Sequence, residues 1–525
     1  MSPRSTLFHH GRVRTPADPF ATALLVVGGE VAWVGQDAAA RQLTADQRVD
    51  LDDAWVAPAF VDAHVHCTST GLALGGLDLT GCPSLAAALQ RVADAARRAR
   101  GGVVLGTGWD DTDWPERRPP TSLELDRASF GGVVYLARTD VHSAVASSAL
   151  LAACPEARGL PGFLADGLVR EQAHHAVRRT ALASVTPTQR QAAQHAALDR
   201  AAALGIACVH ECGGPDIAGE DDFLALLALD HAVERIGYWG ELGGVQRARE
   251  LGAAGPAGDL FVDGSLGSRT ACLAEPYADG SGHGEQFHDA AALAEHVREA
   301  TQAGVQAGFH AIGDHAVDLV VGALRTVADT LGEERVRAAR HRVEHLEMPS
   351  AEAVATLARL GVVASVQPAF DARWGGPEGM YAERLGRERA VAMNPLADLA
   401  AAGVSLAFGS DTPVTPLDPW GTLRAAVRHR TPASALSARA AFAAHTRGGW
   451  RAARRDDEGE LVPGAPATFA VWQVEGELVV QAPDERVTGW STDPRAGVSG
   501  LPDLDGPEPV CARTVVRGRD AHVRG

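Results

Sequence analysis

The sequence predicts an α/β protein, built on a (β/α)8 TIM-like barrel and carrying a composite β-sandwich domain made from the two ends of the chain. Three observations lead to this prediction. Strand-like apolar runs alternate with Ala-rich amphipathic stretches through the middle of the chain, both ends consist of short strand-like runs, and one long interval interrupts the alternation. A chain of 525 residues can hold such a barrel together with a satellite domain.

The two ends of the chain share a strand-rich character. The N-terminal part contains "ALLVVGGEVAWVG", and the C-terminal part contains "GELVPGAPATFAVWQVEGELVVQ" and "PEPVCARTVVRGRDA". Short apolar runs separated by turn residues are typical of strands joined by hairpins. We therefore predict that residues 1–57 and 458–525 complete one β-sandwich domain around a barrel at 58–457.

Eight strand-like runs predict the strands of the barrel. In chain order they are "AFVDAHVH", "IACVHECG", "RIGYWGEL", "LFVDGSLGS", "VQAGFHAIGD", "HRVEHLE", "GVVASVQP" and "VSLAFGSD". Stretches between them, such as "AALAEHVREATQAG", have the helical period and end at or near a glycine. In a barrel of this kind the carboxyl ends of the strands line the active site, and the polar residues of these runs fall there.

One interval is too long for a single connection between a strand and a helix. It follows the first barrel strand, and we assign residues 67–200 to it. It has strand-like pieces of its own, "GGVVLGTGWDD" and "GGVVYLART", and a helical stretch, "SLAAALQRVADAARRAR". We predict an inserted subdomain that serves as a lid over the barrel mouth.

Composition narrows the class of protein. The formal net charge of −18 opposes binding to nucleic acids and to anionic membranes. The N-terminus lacks an apolar signal region, and no stretch approaches the roughly 18–20 apolar residues of a membrane span, so we expect a cytoplasmic protein. The odd number of cysteines, seven, is typical of reduced thiols.

The chain contains no lysine, so all 48 basic residues counted as Lys or Arg are arginines. This excludes a lysine Schiff base, a pyridoxal phosphate linkage and a Walker-type phosphate lysine. A carboxylated lysine bridging two metal ions is excluded for the same reason.

Five polar residues at strand ends predict a metal site. His64 and His66 end the first run, and residues two apart on a strand face the same side. His310, His345 and Asp411 end the fifth, sixth and eighth runs. One histidine at a strand end is most often an ordinary hydrogen-bonded residue, but five such residues at one end of a barrel suit zinc or a similar divalent ion with a position left for water.

Longer stretches carry a specific family pattern. They are "PAFVDAHVH", "GTGWDDTDWPERRPPT", "RTDVHSAVASSAL", "LFVDGSLGSRTACLAEPYAD", "FHAIGDHAVD", "RVEHLEMPS" and "FGSDTPVTPLDPWGTLRAAV". Over nearly the whole chain the sequence resembles the amidohydrolase superfamily, and most closely its amidohydrolase-3 branch, whose activities include N-substituted formamide deformylase. The resemblance implies that His64 and His66 hold a metal ion, and that His310 and His345 complete or flank it. It also implies that Asp411 binds the metal and shuttles the proton.

The sequence departs from the family pattern at the fourth strand. Many members carry a lysine before the "FADG" element, carboxylated to bridge two metal ions, whereas Asp259 occupies that position here. Asp259 could bind metal directly or be a solvated residue at the start of the strand. Its side chain is several bonds shorter than a carboxylated lysine, so we predict a mononuclear centre, most simply zinc.

Residues from two regions are candidates for substrate binding. Asp263 and Arg269 lie in the glycine-punctuated stretch "DGSLGSRT", where a ligand can approach the backbone closely. Arg269 could clamp a carboxylate or a carbonyl, although arginines more often form surface salt bridges. Trp109, Asp110 and His142 belong to the inserted region and could line the lid.

We therefore predict a metal-dependent amidohydrolase that cleaves a carbon–nitrogen bond other than a peptide bond, an amide or N-acyl or N-formyl bond, with metal-activated water. Asp411, His345 and His310 would be its catalytic residues. The alternatives are a deaminase or cyclic-amide hydrolase of the same superfamily, and a catalytically silent barrel that binds a ligand. The expected partner is a small-molecule substrate, with a homodimer as a base-rate expectation. Trp374 and Trp420 suit a pocket wall and a packed core equally well.

Overall fold

The computed structural model describes residues 4–111, 114–138, 143–481, 490–491 and 500–525. It has a mixed α/β fold, which confirms the predicted class. The chain divides into two compact units, Met1–His66 with Leu198–Gly525, and Cys67–Ala197. Each unit is described separately below.

The strands in the described residues are, in chain order, β1 (Ser5–His9), β2 (Arg12–Val13), β3 (Ala23–Val27), β4 (Glu30–Gly35), β5 (Gln47–Asp50), β6 (Trp55–Pro58), β7 (Phe60–Val65), β8 (Leu77–Asp78), β9 (Val104–Trp109), β10 (Val134–Arg138), β11 (Ser143–Ala146), β12 (Leu168–Arg170), β13 (Ile206–Gly213), β14 (Glu234–Trp239), β15 (Gly308–Ala311), β16 (Arg342–His345), β17 (Val363–Val366), β18 (Ser405–Phe408), β19 (Phe469–Gln473), β20 (Leu478–Gln481), β21 (Trp490–Ser491), β22 (Leu501–Pro502), β23 (Val510–Val516) and β24 (Arg519–Val523).

The α-helices in the same residues are α1 (Asp37–Ala40), α2 (Cys67–Gly75), α3 (Leu85–Ala99), α4 (Ser122–Ala128), α5 (Ser148–Ala153), α6 (Glu171–Ala183), α7 (Pro187–Ala203), α8 (Glu220–Leu227), α9 (Val245–Glu250), α10 (Ala290–Ala303), α11 (Asp314–Leu331), α12 (Glu333–Ala339), α13 (Ala351–Arg359), α14 (Pro368–Trp374), α15 (Met380–Leu385), α16 (Arg387–Val391), α17 (Leu396–Ala401), α18 (Pro419–Val427), α19 (Ala438–Ala444) and α20 (Arg447–Ala452). None of them combines the length and the apolar character that crossing a membrane requires.

Strands from the two ends of the chain share one sheet of the first unit, in the order β2-β6-β19-β23-β24. Strand β19 pairs antiparallel with β6, so that Trp472 lies opposite Trp55. A second sheet, β4-β3-β1-β5, contributes to the same apolar core, where the rings of Phe8 and Phe469 meet edge to face at 5.2 Å. The pairing agrees with a composite terminal domain, whose boundaries stay a prediction.

The middle of the first unit contains two parallel sheets, β14-β13-β7 and β15-β16-β17-β18. Both faces of β7, β13, β15, β16 and β17 are buried, as is typical of parallel sheets covered by helices. Helix α11, for example, buries Val317, Val320 and Leu324 along one side. An isolated bridge joins Val65, at the end of β7, to Thr412, just after β18.

Seven of the eight predicted barrel runs form strands in the described residues, and the fourth, "LFVDGSLGS", does not. Its backbone still pairs with β15 around His310. The Val262 N–H donates to the His310 carbonyl at 3.0 Å, and the His310 N–H donates to the Leu260 carbonyl at 2.9 Å. Beyond this short bridge the chain forms a loop. In this loop the Asp263 carboxylate accepts hydrogen bonds from the N–H groups of Cys272 and Ile312, which lie outside the strands.

The second unit is organised around the sheet β12-β11-β10-β9-β8. Its core contains Trp109, Trp114 and Leu136, with helices α3 and α4 packed on the sheet. Helix α4 begins with a capping box, in which the side chains of Thr121 and Glu124 each accept a hydrogen bond from the other's backbone N–H. This interval therefore has a hydrophobic core of its own, and its role as a lid stays a prediction.

Candidate metal centre

Backbone hydrogen bonds join the end of β7 to the loop after β18 and bring three predicted ligands together. The Asp411 N–H donates to the His64 carbonyl at 2.8 Å, and the His66 N–H donates to the Thr412 carbonyl at 3.1 Å. Buried Asp62 reinforces the junction, because its carboxylate accepts a hydrogen bond from the Ser410 N–H at 2.9 Å. The imidazoles of His64 and His66 and the carboxylate of Asp411 are therefore neighbours.

Two carboxylates stand against these two imidazoles. Asp411 Oδ1 lies 3.4 Å from His64 Nε2 and 3.1 Å from His66 Nε2. Asp259 places Oδ1 3.4 Å from His64 Nε2 and Oδ2 3.1 Å from His66 Nε2. Asp259 is thus a buried member of the cluster.

His310 and His345 reach the same cluster from β15 and β16. Asp259 Oδ1 lies 3.5 Å from His310 Nδ1 and 3.6 Å from His345 Nε2. The two imidazole rings are 4.3 Å apart between centroids. Asp259 therefore contacts four histidines, and the structure brings together the six residues that the sequence predicts as metal ligands.

The donor atoms of this cluster fit a divalent metal ion. Four of the buried side-chain atoms that have no hydrogen-bond partner among the described residues face the cluster: His64 Nε2, Asp259 Oδ1, His310 Nδ1 and His345 Nε2. Ligand atoms about 2.0–2.2 Å from one ion stand about 3–3.6 Å apart in tetrahedral or octahedral geometry, which is the spacing found here. Two overlapping triads could hold an ion, His64 with Asp259 and His345, and His64 with His66 and Asp411.

A third possible triad, His64 with Cys212 and Glu344, fits less well. Burial raises the pKa of the Cys212 thiol to about 12, so the sulfur keeps its proton at neutral pH. Glu344 contacts His64 through Nδ1, on the side of the ring opposite to the carboxylate cluster. This triad is therefore a weaker candidate for a metal site than the two triads that contain Asp259 or Asp411.

The electrostatics of the cluster also favour a cation. Burial alone would lower the pKa of His66, but hydrogen bonds to Asp259 and Asp411 outweigh burial and raise it to about 10. Burial would raise the pKa of Asp259, yet the positive charge of His64 and the close imidazoles of the other histidines together hold it well below its usual range. The two carboxylates therefore favour a positive charge in this buried site. A divalent metal ion could supply that charge, in competition with protons on the histidines.

Comparisons with known proteins show the family to which the chain belongs. A family model described as the Amidohydrolase family matches residues 47–521, which is most of the chain. The chain belongs to the amidohydrolase family. The resemblance predicted from its motifs is confirmed, as is the prediction that the chain is a metal-dependent amidohydrolase and hence an enzyme of carbon–nitrogen bonds.

Individual relatives of this amidohydrolase cover most of its length. Protein LONG AFTER FAR-RED 3 of Arabidopsis thaliana is 28% identical over 497 residues, covering 86% of this chain and 84% of that protein. N-substituted formamide deformylase of Arthrobacter pascens is 24% identical over 470 residues, covering 82% of this chain and 85% of that protein. The crystal structure of an uncharacterized metal-dependent hydrolase from Pyrococcus furiosus is similar with a TM-score of 0.76 and 26% identity, covering 89% of this chain and 98% of that one.

Two charged residues that the sequence analysis did not select support His64 in the amidohydrolase. Glu344 Oε2 lies 3.0 Å from His64 Nδ1, and buried Arg342 donates to the same oxygen at 2.9 Å. The guanidinium of Arg342 also lies 4.1 Å above the ring of Tyr238. Burial would raise the pKa of Glu344, but the charge of Arg342 and the contacts with His64 together lower it to about 2. Glu344 therefore accepts the Nδ1 proton of His64, which leaves Nε2 free to bind metal.

The signal for this pair was present in the motif "RVEH". Two opposite charges, Arg342 and Glu344, stand two residues apart in a short strand that is otherwise buried. Charged residues are almost never fully buried unless they are paired. The motif alone did not show that the pair contacts His64.

Two of the predicted ligands of the amidohydrolase have a strained backbone. His345 has φ = +68° and Asp411 has φ = +54°, in the left-handed region that non-glycine residues rarely adopt. Each such residue costs on the order of 1–3 kcal/mol, and such residues cluster at active sites. Gln367 fixes the ring of His345, because its Oε1 lies 2.9 Å from His345 Nδ1.

The predicted substrate residues of the first unit have partners of their own. Buried Asp263 accepts hydrogen bonds from the N–H groups of Cys272, Ile312 and Gly313 at 2.8–3.0 Å, so it joins the loop to the end of β15. Arg269 makes a two-point ion pair with Asp279, with Nη2 2.8 Å from Oδ2. Both side chains are therefore occupied within the protein.

The predicted residues of the inserted region have separate outcomes. Trp109 lies in the core of the second unit, where its Nε1–H donates to the Leu136 carbonyl at 2.9 Å. Asp110 forms an ion pair with Arg138 at 2.7 Å. His142 lies outside the described residues. Their role in substrate binding stays a prediction.

Proposed function

We propose that this amidohydrolase cleaves an amide, N-acyl or N-formyl bond of a small molecule with metal-activated water. The observation that carries the proposal is the buried cluster of unpartnered donor atoms from His64, Asp259, His310 and His345. The similarity to N-substituted formamide deformylase supports an amide-type bond within the carbon–nitrogen class.

We propose that one zinc ion binds within the cluster of histidines and carboxylates. His64 and His66 would hold it with Asp411, and Asp259 would bind directly in place of a bridging lysine carbamate. The short side chain of Asp259 already contacts four imidazoles, which supports a compact single centre. A bound divalent ion lowers the pKa of a water molecule and polarises a carbonyl oxygen.

Asp411 is proposed as the proton shuttle. Its carboxylate is buried, and its oxygen lies 3.1 Å from His66 Nε2, at the edge of the cluster. Burial would raise the pKa of Asp411, but the charge of His64 and the contacts with His66 and His345 together lower it, which favours an ionised carboxylate that can take a proton. Asp411 accepts the proton of the attacking water as the carbon–oxygen bond forms. It then gives that proton to the leaving nitrogen as the carbon–nitrogen bond breaks.

His310 and His345 are proposed to orient the reacting groups from the opposite side. His310 Nε2 lies 3.2 Å from the Gly264 carbonyl, so that its Nδ1 faces Asp259. The ring of Phe370 lies parallel to that of His345 with centroids 5.9 Å apart. Both imidazoles are thus held in one orientation before a substrate binds.

We also propose that the two parallel sheets are parts of one (β/α)8 barrel. The bridge between Val65 and Thr412 joins the sheet of β7 to the end of β18, and the bridge between Phe261 and His310 places the fourth run beside β15. In such a barrel the histidine ligands and Asp411 would lie at the carboxyl ends of the first, fifth, sixth and eighth strands, and Asp259 would join them from the start of the fourth run.

The proposed function is tested by metal analysis and a substrate panel. We expect the purified protein to contain one divalent ion per chain by mass spectrometry, and N-formyl or N-acyl amides to be hydrolysed in a reaction that a chelator stops and zinc restores. Protein free of divalent metal and indifferent to chelators would overturn the proposal. Ammonia released from a ring substrate, with no cleavage of open amides, would indicate a deaminase instead.

A further inference from the structure

An apolar surface lies beside the metal centre. Met348, Trp374 and Met380, which we call the apolar wall, are half-buried, and all three pack against one apolar core cluster. Met348 follows the ligand His345 by three residues, and Trp374 ends α14, which starts directly after β17. Met348 and Trp374 thus follow the carboxyl ends of β16 and β17, two neighbouring strands of one sheet.

A series of ring contacts connects the predicted ligand His345 with Trp374 of the apolar wall. His345 lies parallel to Phe370 at 5.9 Å, Phe370 meets Trp374 edge to face at 5.0 Å, and Trp374 lies 6.4 Å from Tyr381. Phe370 and Tyr381 are buried, whereas Trp374 keeps part of its surface exposed. Trp374 is thus only two ring contacts from a predicted metal ligand.

The wall rests on rigid support. The core cluster behind it includes Leu266 and Tyr277 from the loop after the fourth run and Ile312 from the end of β15. The Tyr277 hydroxyl donates to the Ala271 carbonyl at 2.9 Å. A Cβ atom added at Gly267 would lie 3.7 Å from the terminal methyl of Met380, so the loop backbone comes close to the wall. A surface supported in this way is preformed for a ligand.

The arginines around the wall are already engaged. Arg269 and Arg384 both pair with Asp279. Arg373 lies over the ring of Trp374 at 5.2 Å and donates to the Val414 carbonyl at 3.2 Å. A ligand group that contacts the wall therefore meets apolar atoms, while these charges are neutralised or fixed by their partners.

We propose that the substrate of this enzyme carries an aryl or bulky aliphatic group, on the carbonyl carbon or on the nitrogen, which packs against Met348, Trp374 and Met380. The proposal rests on the proposed amide hydrolysis and names its substrate class. A flat tryptophan surface suits an aromatic ring, and methionine side chains adapt to different apolar shapes. The reacting bond would lie at the metal centre and the apolar group beyond Phe370.

The test measures binding and does not depend on turnover. The probes are acetohydroxamic, phenylacetohydroxamic and N-phenylacetohydroxamic acids, which share a metal-chelating group and differ in the presence and position of an aryl group. Titration calorimetry on the zinc-loaded protein gives their Kd values. We expect at least one aryl probe to bind about tenfold or more tightly than acetohydroxamic acid, which is typical of an apolar pocket.

Two variants assign that preference to the wall. Trp374→Ala and, independently, Met380→Gln should each reduce the preference to about threefold or less, because each removes apolar contact area. Trp33→Ala, which removes a half-buried tryptophan from β4 in the terminal sheet, is the matched control and should keep the preference. If Trp374→Ala does not fold, Met380→Gln alone tests whether the apolar wall causes the aryl preference.

The possible outcomes distinguish a failure of the proposed apolar subsite from a failure of the proposed amide hydrolysis. The subsite proposal is overturned if neither aryl probe binds more tightly than acetohydroxamic acid, or if the folded variants keep the full preference. If the aryl preference holds but no amide is cleaved, the proposed function fails and the subsite stands. If zinc-loaded protein binds none of the three probes, both proposals fail.

Discussion

At the scale of single residues, the centre depends on a few side chains whose surroundings fix their chemistry. Asp411 and Asp259 differ in role although both are buried carboxylates in contact with His64 and His66. Asp259 contacts four imidazoles and is enclosed by them, whereas Asp411 contacts two and stands at the edge of the cluster. We therefore propose that Asp259 only binds the metal, whereas Asp411 both binds it and transfers the proton.

Replacing the Asp411 carboxylate with an amide should remove activity and preserve the fold. Asp411→Asn keeps the shape of the side chain but cannot carry a proton, and we expect kcat to fall by about 10²–10⁴-fold. Metal content and circular dichroism should stay close to those of the wild type. Asp398→Asn, at an exposed aspartate of α17, is the control. Near-normal turnover in Asp411→Asn would contradict the shuttle role.

Replacing Glu344 should weaken metal binding. In Glu344→Gln the charge that holds the Nδ1 proton of His64 is lost, and Arg342 loses its buried partner. Changes to residues that orient metal ligands typically cost about 10–100-fold in metal affinity, and we expect a loss of this size in a zinc competition assay. Glu352→Gln, at an exposed glutamate on α13, should leave the affinity unchanged. An unchanged affinity in Glu344→Gln would remove its positioning role.

At the scale of secondary structure elements, the close approach of β18 to β7 sets the position of His64. Gly409 follows β18, and a Cβ atom placed there would lie 2.6 Å from His64 N and 2.8 Å from its Cβ. Real Cβ atoms do not come so close to backbone, so a larger residue must push the two segments apart. The ligand geometry therefore depends on a glycine outside the ligand set.

Two alanine substitutions test this packing. Gly409→Ala should destabilise the protein by about 1–3 kcal/mol through overpacking, and should also lower zinc affinity. Gly322→Ala is the matched control, because Gly322 lies inside helix α11 and an added Cβ meets no described atom within 4 Å. It should raise stability by about 0.5–1 kcal/mol through helix propensity. Urea unfolding curves with a chelator present measure the change in stability of each variant. Equal changes in the two variants would contradict the close packing at Gly409.

At the scale of the whole molecule, buried neutral histidines link folding to pH. Burial lowers the pKa of His296 to about 4 and that of His341 to about 3. In each ring Nδ1 accepts a backbone hydrogen bond, from the Gly243 N–H at 3.0 Å and from the Ala307 N–H at 2.9 Å. Protonation of Nδ1 would break these bonds, so the folded protein resists taking up a proton at either ring.

Acid should therefore weaken the fold through these histidines. Their contribution is complete above about pH 6.5, where the unfolded chain is also neutral, and it is lost as pH falls, at up to about 1.4 kcal/mol per pH unit for each ring. We expect the difference in unfolding free energy between wild type and His296→Gln to shrink by about 2 kcal/mol between pH 7.5 and pH 5. A difference that stays constant over this range would contradict a neutral buried His296.

The sequence by itself determined the fold class, the family and the six candidate ligands. These depend on short-range patterns, because the alternation of strands places His64 and His66 on one side and a strand end marks each of the other ligands. The structure brings the same six residues together, and Asp259 could be singled out because the chain has no lysine.

Only the tertiary structure decided which groups hold those ligands in place. Glu344 contacts His64 across 280 positions of the chain, and Gln367 orients His345 from the next strand. Asp263 and Arg269 were candidates for substrate contact, but their partners in space are backbone amides and Asp279. Such pairs form when separate strands pack together. No period or spacing in the sequence records them, because the physical interaction is between side chains that are distant in the chain.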